Sequence, residues 1–493
     1  MKEATQDVGI GAVVEVPKHA AQASANARKT GVPERTEPFA ARAEVPAFPS
    51  RVPWIGHLVR GWHDPIGLFE EAFRMHPGAV RVVFGPYHYV MISAPDSIKH
   101  VLTDNAKAYE KSRNYDGLKI VFGQGLLTSE GEFWKRQRRL VQPAFHRQKL
   151  ALLTDKMASA TRLTVDRWNI EGAPNGNVHE AMMRLTFAIV GQTLFSTDVD
   201  GDASAIGHAL TVGLEWTNQY AEALVRVPKW VPTPKNREFA KALATLDELI
   251  FRIIDTRRAQ PDPGDDLLGM LMSATDERGE ERMTNRQLRD EALTLVVAGH
   301  ETTANLLAFA LHLLARNRDW QDKIVRETEH VLEGRDPTFE DMPKLVVTRA
   351  VIDETLRLYP PAWTFERQAK EDDVIPEGRI RKGAIVGVSP YLIHRNPKVF
   401  PDPEAFRPER FMPGAPERHK YAYLPFGGGP RTCIGNLFAL TEAVVALAMI
   451  ARDYRADVLP GRTLELDPKV TLRPRHDVPV RLVPRRTAGV ANA

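Results

Sequence analysis

Apolar positions along most of the chain recur every third or fourth residue, and only a few short stretches alternate. After an entry punctuated by Pro46, Pro49, Pro53 and Gly56, Asp64 and Pro65 supply a cap and first turn for a helix that buries Leu68, Phe69, Ala72 and Phe73. The period then changes. Val80 to Phe84 and Tyr89 to Ile92, separated by Gly85 and Pro86, predict a β-hairpin, and helix resumes from Ala94. Between about 150 and 320 the helical period dominates, interrupted by polar loops such as Gln260 to Asp266. The longest predicted helix begins at Thr284, whose hydroxyl forms a capping box with Gln287, and continues without proline to about Asn317. At about 1.5 Å per residue it spans roughly 50 Å. Strand-like alternation returns at Ile380 to Pro390 and Thr471 to Val483, so the fold class is mainly α with a minor β part and no internal repeat. Residues 1–45 show no sustained period and read as a flexible tail before a single domain over residues 46–493.

Composition narrows the function classes. The chain of 493 residues is 43% hydrophobic and 26% charged, the balance of a globular protein with a substantial core. A net charge of +3, from 66 basic and 63 acidic residues, gives no ground for a nucleic-acid partner. There is one cysteine, which excludes a disulfide scaffold, a Cys-pair zinc ribbon and covalent haem attachment. No apolar run reaches the roughly 17–25 residues of a membrane helix, and the N-terminus lacks a secretory core, so the reading is cytoplasmic, with no transmembrane anchor.

That cysteine, Cys433, follows the glycine-rich turn Phe426-Gly427-Gly428-Gly429-Pro430-Arg431-Thr432 and precedes the apolar helical run Leu437 to Ile450. Glycines let backbone approach a flat ligand, and amides at the start of a helix stabilise a thiolate. Such a thiolate can ligate iron and push electron density onto it. The alternative is a buried cysteine serving as a small hydrophobe.

The segment resembles the haem-binding pattern of the cytochrome P450 family, Phe-x-x-Gly-x-Arg-x-Cys-x-Gly, at Phe426, Gly429, Arg431, Cys433 and Gly435. Three further matches follow the family's order: Ala298-Gly299-His300-Glu301-Thr302-Thr303 resembles its oxygen-activation motif, Glu354 and Arg357 its Glu-x-x-Arg pair, and Pro408-Glu409-Arg410-Phe411 the segment that completes a Glu-Arg-Arg network. Trp134 and Arg138 look like its Trp-x-x-x-Arg pair. The resemblance spans about 46 to 485 and implies the cytochrome P450 fold with b-type haem (iron protoporphyrin IX), Cys433 as the metal ligand, and Phe426, Trp134, Arg138, Arg367 and Arg431 around the cofactor. It implies proton delivery by Thr302 and Glu301, and a structural network of Glu354, Arg357 and Arg410. By family position, a loop from Tyr109 to Phe122, with Thr294, Val297, Ala298 and the Ala362-Trp363-Thr364-Phe365 stretch, is expected to face a hydrophobic substrate.

The implied reaction inserts one atom of dioxygen into a fatty acid, terpenoid or polyketide-type molecule, by hydroxylation or epoxidation. Its electrons come ultimately from NAD(P)H through a ferredoxin or flavodoxin and its reductase, because the 60 residues after Cys433 are too few for a reductase domain. A peroxide-driven enzyme or isomerase of the same fold, and a haem sensor or carrier without turnover, are the rivals; the Glu301–Thr302 pair argues for oxygen activation. Basic residues on the expected proximal side, Lys135, Arg136 and Arg139 with Arg418, His419 and Lys420, suggest docking of an acidic partner. Gly299 costs its helix about 1 kcal/mol relative to alanine, which suggests either a widened oxygen groove or a close helix contact. His300-Glu301 is not a zinc-protease signature, since position 303 is Thr and position 304 is Ala.

Overall fold

The computed structural model describes residues 43–50, 54–196, 227–262, 264–275 and 282–485, with residues 209, 212, 213, 215–217, 219, 220 and 279. Fourteen described helices are numbered here: α1 (Leu58–His63), α2 (Pro65–Met75), α3 (Pro95–Lys99), α4 (Asp116–Phe122), α5 (Gly131–Val141), α6 (Arg147–Glu171), α7 (Val178–Val190), α8 (Pro234–Arg258), α9 (Leu267–Ser273), α10 (Asn285–Arg316), α11 (Arg318–Leu332), α12 (Val346–Leu358), α13 (Pro390–Ile393) and α14 (Asn436–Asp453). The strands are β1 (Ala79–Phe84), β2 (Tyr87–Ile92), β3 (Tyr109–Glu110), β4 (Phe365–Ala369), β5 (Asp373–Ile375), β6 (Gly378–Ile380), β7 (Ile385–Val388), β8 (Tyr454–Val458), β9 (Leu466–Pro468), β10 (Leu472–Pro474) and β11 (Val480–Pro484). The mainly α class with a minor β part is what is found.

The capping box at Thr284 forms as expected: the Gln287 amide donates to Thr284 Oγ1 at 3.2 Å and the Thr284 amide donates to Gln287 Oε1 at 2.8 Å. The helix it opens, α10, has 32 residues and is about 48 Å long. Every residue from Thr303 to Ala315 is buried, so this half of α10 has no solvent face and runs through the core. α14 is buried almost as completely from Phe438 to Ala451, with Leu440 and Thr441 included. The two helices meet inside one continuous apolar cluster that also takes in α6, α7, α11 and α12.

The main sheet has the order β1-β2-β7-β4-β3. The hairpin lies where the alternation placed it: Phe84 pairs with Tyr87 across a two-residue turn. Gly85 there has a φ of +57°, which favours glycine. β2 runs parallel to β7, and β4 antiparallel to it.

Two boundaries differ from the sequence reading. Ala43 to Val45, counted with the tail, belong to the body: the Arg379 amide donates to the Ala43 carbonyl at 3.0 Å, Glu44 bridges to Arg379, and Val45 is buried. The rest of that tail, 1–42, lies outside the described residues. The Tyr109–Phe122 stretch is not an open loop, because β3, a short turn and α4 fill it, with Leu118, Val121 and Phe122 packed inward. No helix among the described residues is long and apolar enough to cross a membrane.

Candidate functional site

Cys433 lies deep in the protein, yet its side chain remains accessible, which puts Sγ on the wall of an interior opening. Its amide donates to the Phe426 carbonyl at 3.0 Å, closing the glycine-rich turn. Gly429 there has a φ of +69°, and a Cβ on it would overlap the Leu102 carbonyl, so that position admits only glycine. Burial raises the thiol's pKa; the Gly435 amide and then the Arg138 guanidinium oppose that by favouring the thiolate.

Cations collect around this opening. Arg431 stacks 3.8 Å from the centre of the Trp134 ring, pairs with Glu130 at 2.5 Å and donates to the Ser129 carbonyl at 3.0 Å. Its pKa is pushed down to about 10, by burial first and also by Arg367 and Arg138. Arg138 is half-buried and has no hydrogen bond or ion pair among the described residues. Arg367 donates to the Glu366 carbonyl at 2.8 Å. A fourth cation, Lys111, was not singled out in the sequence. Burial, then Arg431 and Arg367, drive its pKa down to about 6, and its Nζ donates to the Leu126 carbonyl at 3.2 Å. A lone lysine at the end of a short strand carries no sequence signal. Among the described residues only Glu130 is ion-paired with any of these groups, so three guanidiniums, with a lysine that an approaching carboxylate would charge, suit a flat cofactor bearing two carboxylates. The thiol, the glycine turn and this cationic rim together fit haem.

α10 opens in its middle. It is buried from Leu288 to Val296, Leu295 partly so, and again from Thr303, but Ala298 is exposed and Val297, Gly299, Glu301 and Thr302 are partly so. Thr294, Ala298 and Thr302 share one face at i, i+4 spacing. The Thr302 hydroxyl donates to the Ala298 carbonyl at 2.6 Å. The helix keeps α geometry throughout, so the expected widening is absent. Gly299 instead serves a close helix contact, since a Cβ there would come within 3.1 Å of Val190 on α7. His300 also turns toward α7, with Nε2 at 3.1 Å from the Met183 carbonyl, and burial lowers its pKa to about 4.

Glu301 does not contact Thr302 through a hydrogen bond. Its Oε1 accepts from the Thr471 hydroxyl at 2.5 Å. Behind Thr471 stands Asn305, which donates to it at 3.3 Å, and behind Asn305 stands His179 at 2.7 Å. One residue further along α10, Thr303 donates to Glu442 of α14 at 3.1 Å. Glu442 is fully buried, its other oxygen has no partner, and burial raises its pKa well above the ordinary value, which favours its neutral form. Neither Thr471 nor Glu442 was read from the sequence, because each meets its partner only through packing.

Glu354 and Arg357 form a bidentate pair at 2.7 and 2.8 Å, both fully buried. Arg410 lies 3.5 Å from Glu354 and donates to the Pro401 and Asp402 carbonyls. Of the remaining candidates, Ala362 is exposed, whereas Trp363 is buried beside Phe309 and Tyr391 and donates its indole N–H to the Lys469 carbonyl at 2.8 Å. That packing makes Trp363 a core residue rather than a substrate contact. Among the proximal basic residues, Arg418 is likewise turned inward: it stacks 5.2 Å from Phe400 and donates to the Arg410 carbonyl. Lys135 pairs with Glu132 at 2.6 Å, and His419 sits 3.5 Å from Asp96. Among the described residues there is no cluster of metal-binding side chains of the His/Cys/Asp/Glu type.

The family model described as cytochrome P450 matches residues 46–477. Cyclooctat-9-en-7-ol 5-monooxygenase of Streptomyces melanosporofaciens is 35% identical over 418 residues, covering 84% of this chain and 90% of that protein. Pentalenene oxygenase of Streptomyces avermitilis is 31% identical, covering 84% of this chain and 91% of its own length. The crystal structure of the cytochrome P450DA heme domain superposes with a TM-score of 0.81 at 27% identity, covering 90% of this chain and 98% of that one.

Proposed function

Because the chain belongs to the cytochrome P450 family of monooxygenases, whose members carry a thiolate-ligated haem, we propose that Cys433 is its iron ligand and that its substrate is a terpenoid hydrocarbon or alcohol. The observation that carries this reading is the thiol, deep in the protein yet accessible, with Arg138 beside it and Arg431, Arg367 and Lys111 clustered nearby. The two relatives named for cyclooctat-9-en-7-ol and pentalenene support the substrate class.

In this reading each residue has a role. The Gly435 amide and Arg138 would hold charge at Sγ, while Arg138, Arg367, Arg431 and Lys111 would neutralise the carboxylates of a bound haem, with Trp134 and Phe426 as packing surfaces. Haem, iron protoporphyrin IX in this reading, supplies dioxygen activation and insertion of one oxygen atom into a C–H or C=C bond. Thr302 holds a proton at Oγ1 on the open face of α10, and Glu301, anchored through one oxygen by Thr471, uses the other to take and pass protons. Val297, Ala298 and Ala362 offer small apolar surface to the substrate. Glu354, Arg357 and Arg410 fix the segment that leads into the cysteine turn. Electrons come from NAD(P)H through a separate ferredoxin or flavodoxin and its reductase, approaching near Lys135, Arg136, Arg139 and Lys420.

The test is spectroscopic. The reduced carbon monoxide complex should show the red-shifted band of a thiolate trans ligand, and Cys433→His should abolish it. Retention of the band in that variant would remove the ligand assignment. Titration of the ferric protein with pentalenene should shift the iron's spin state, and a response to lauric acid but not to pentalenene would overturn the substrate class.

A further inference from the structure

On the sheet hairpin β1–β2, away from Cys433, a cleft of about 520 Å³ is lined by five cations: Arg81, Arg113, Arg379, Arg381 and Lys382. One carboxylate in its lining, Glu44, serves two of them, at 2.7 Å from Arg379 and 2.5 Å from Arg381. A surplus of positive charge remains in the wall. Arg81 is half-buried, with its backbone fixed by the Pro46 carbonyl and the Phe48 amide. Its guanidinium makes no hydrogen bond or ion pair among the described residues, and its Nε is cut off from solvent. Its buried Nε–H is left unanswered, at a cost that a partner would remove. Arg113 lies 4.6 Å from the centre of the Tyr87 ring and has no carboxylate partner among the described residues. Pro86, Val90 and Ile385 add apolar surface to the wall.

We propose that this cleft binds a small organic phosphate. The volume lies within the range of small-molecule sites, roughly 300–1,000 Å³. Two free guanidinium forks and an ammonium exceed what the two oxygens of a carboxylate can satisfy, whereas a phosphate group offers three oxygens and up to two charges to paired hydrogen bonds. The apolar wall takes the organic part. No residue of the cysteine turn or of α10 lines the cleft, so the site is separate from the oxygenase centre.

Calorimetric titration of the haem-loaded full chain with phenyl phosphate, in low-salt buffer free of phosphate, should give one binding site, weakened at least tenfold by Arg81→Gln with Arg113→Gln. Arg113 is exposed, so Arg113→Gln alone decides the matter if the double variant fails to fold; it should weaken binding severalfold. Sedimentation with phosphatidylglycerol vesicles distinguishes the source of the phosphate: capture of the wild type that the double variant loses would assign the cleft to a lipid headgroup, and titration without capture to a soluble phosphoester. No binding of either probe, or equal binding by wild type and variants, would overturn the site.

Discussion

Replacing Arg357 with lysine separates two explanations of the buried network. If the pair with Glu354 acted by charge alone, lysine would preserve most of its worth. In the structure the guanidinium does more: besides two bonds to Glu354, it donates to the carbonyls of His394, Pro403 and Ala405 at 3.1, 2.6 and 3.0 Å. An ammonium converges on one point and can answer Glu354 and at most one of these acceptors, leaving two carbonyls without that donor; His394's is buried and those of Pro403 and Ala405 are partly so. Each costs about 1–3 kcal/mol. Two such losses span about 2–6 kcal/mol, and the part exposure of Pro403 and Ala405 puts Arg357→Lys in the lower half, about 2–4 kcal/mol, a large share of the roughly 5–15 kcal/mol that holds a native protein folded. Arg357→Met should cost more, because it also strands the Glu354 charge. The assay is urea unfolding of the haem-loaded protein followed by circular dichroism, reading the midpoint at constant slope. A lysine variant within about 1 kcal/mol of wild type would refute the carbonyl argument, and with it the claim that Arg357 holds residues 394–405 in place.

Thr302→Ala should leave haem content near wild type while lowering product formed per NADPH by about tenfold or more, with hydrogen peroxide as the alternative product; an unchanged ratio would remove Thr302 from proton supply. Thr471→Val, which frees Glu301, should lower the same ratio less and shift its pH profile, and Thr471→Ser should restore both. Stability should fall in acid: burial lowers the pKa of His300 and His312 to about 4 and of His394 to about 3, so between about pH 6.5 and those values the unfolded chain binds more protons, and the stabilisation present above pH 6.5 is lost as pH falls. Glu291, Asp353, Glu366 and Glu442, whose pKa values burial raises, contribute with the opposite slope, so the check is by comparison: a His312→Asn variant whose thermal midpoint falls as steeply as that of wild type from pH 7 to pH 4 would contradict the histidine contribution. Reduction by an acidic ferredoxin should slow with ionic strength and with charge reversal at Arg136 and Arg139, while substrate affinity stays constant; stopped-flow rates indifferent to both would exclude docking there.

What could be read from the sequence divides along physical lines. Local rules placed the Thr284 box, the Gly85 hairpin and the turn before Cys433, because each depends on residues a few positions apart. Gly299 left a widened groove and a close helix contact both open, because glycine in a helix signals close approach without naming what approaches, and here the neighbour is Val190. Trp363 misled because an apolar stretch beside a site and an apolar stretch in a core have the same composition. Thr471 and Glu442 stayed invisible because their partners lie more than a hundred residues away, and Lys111 because Arg367 and Arg431, which share its surroundings, do too, in contacts no local period encodes.

The order of the main sheet has a consequence for how the chain is made. β2 pairs along its free edge with β7, Tyr89 opposite Ile385, so the partner strand emerges 296 residues later. At about 5–20 residues per second, the hairpin waits roughly 15 to 60 s during synthesis with an apolar edge uncovered. An open edge of that kind is a template for pairing with other chains. Closing so long a loop also costs entropy before any pairing rewards it, which makes completion of the sheet a late event. The nascent protein is thus most exposed to misassociation at its N-terminal hairpin, and a chaperone that occupies strand edges would act there first.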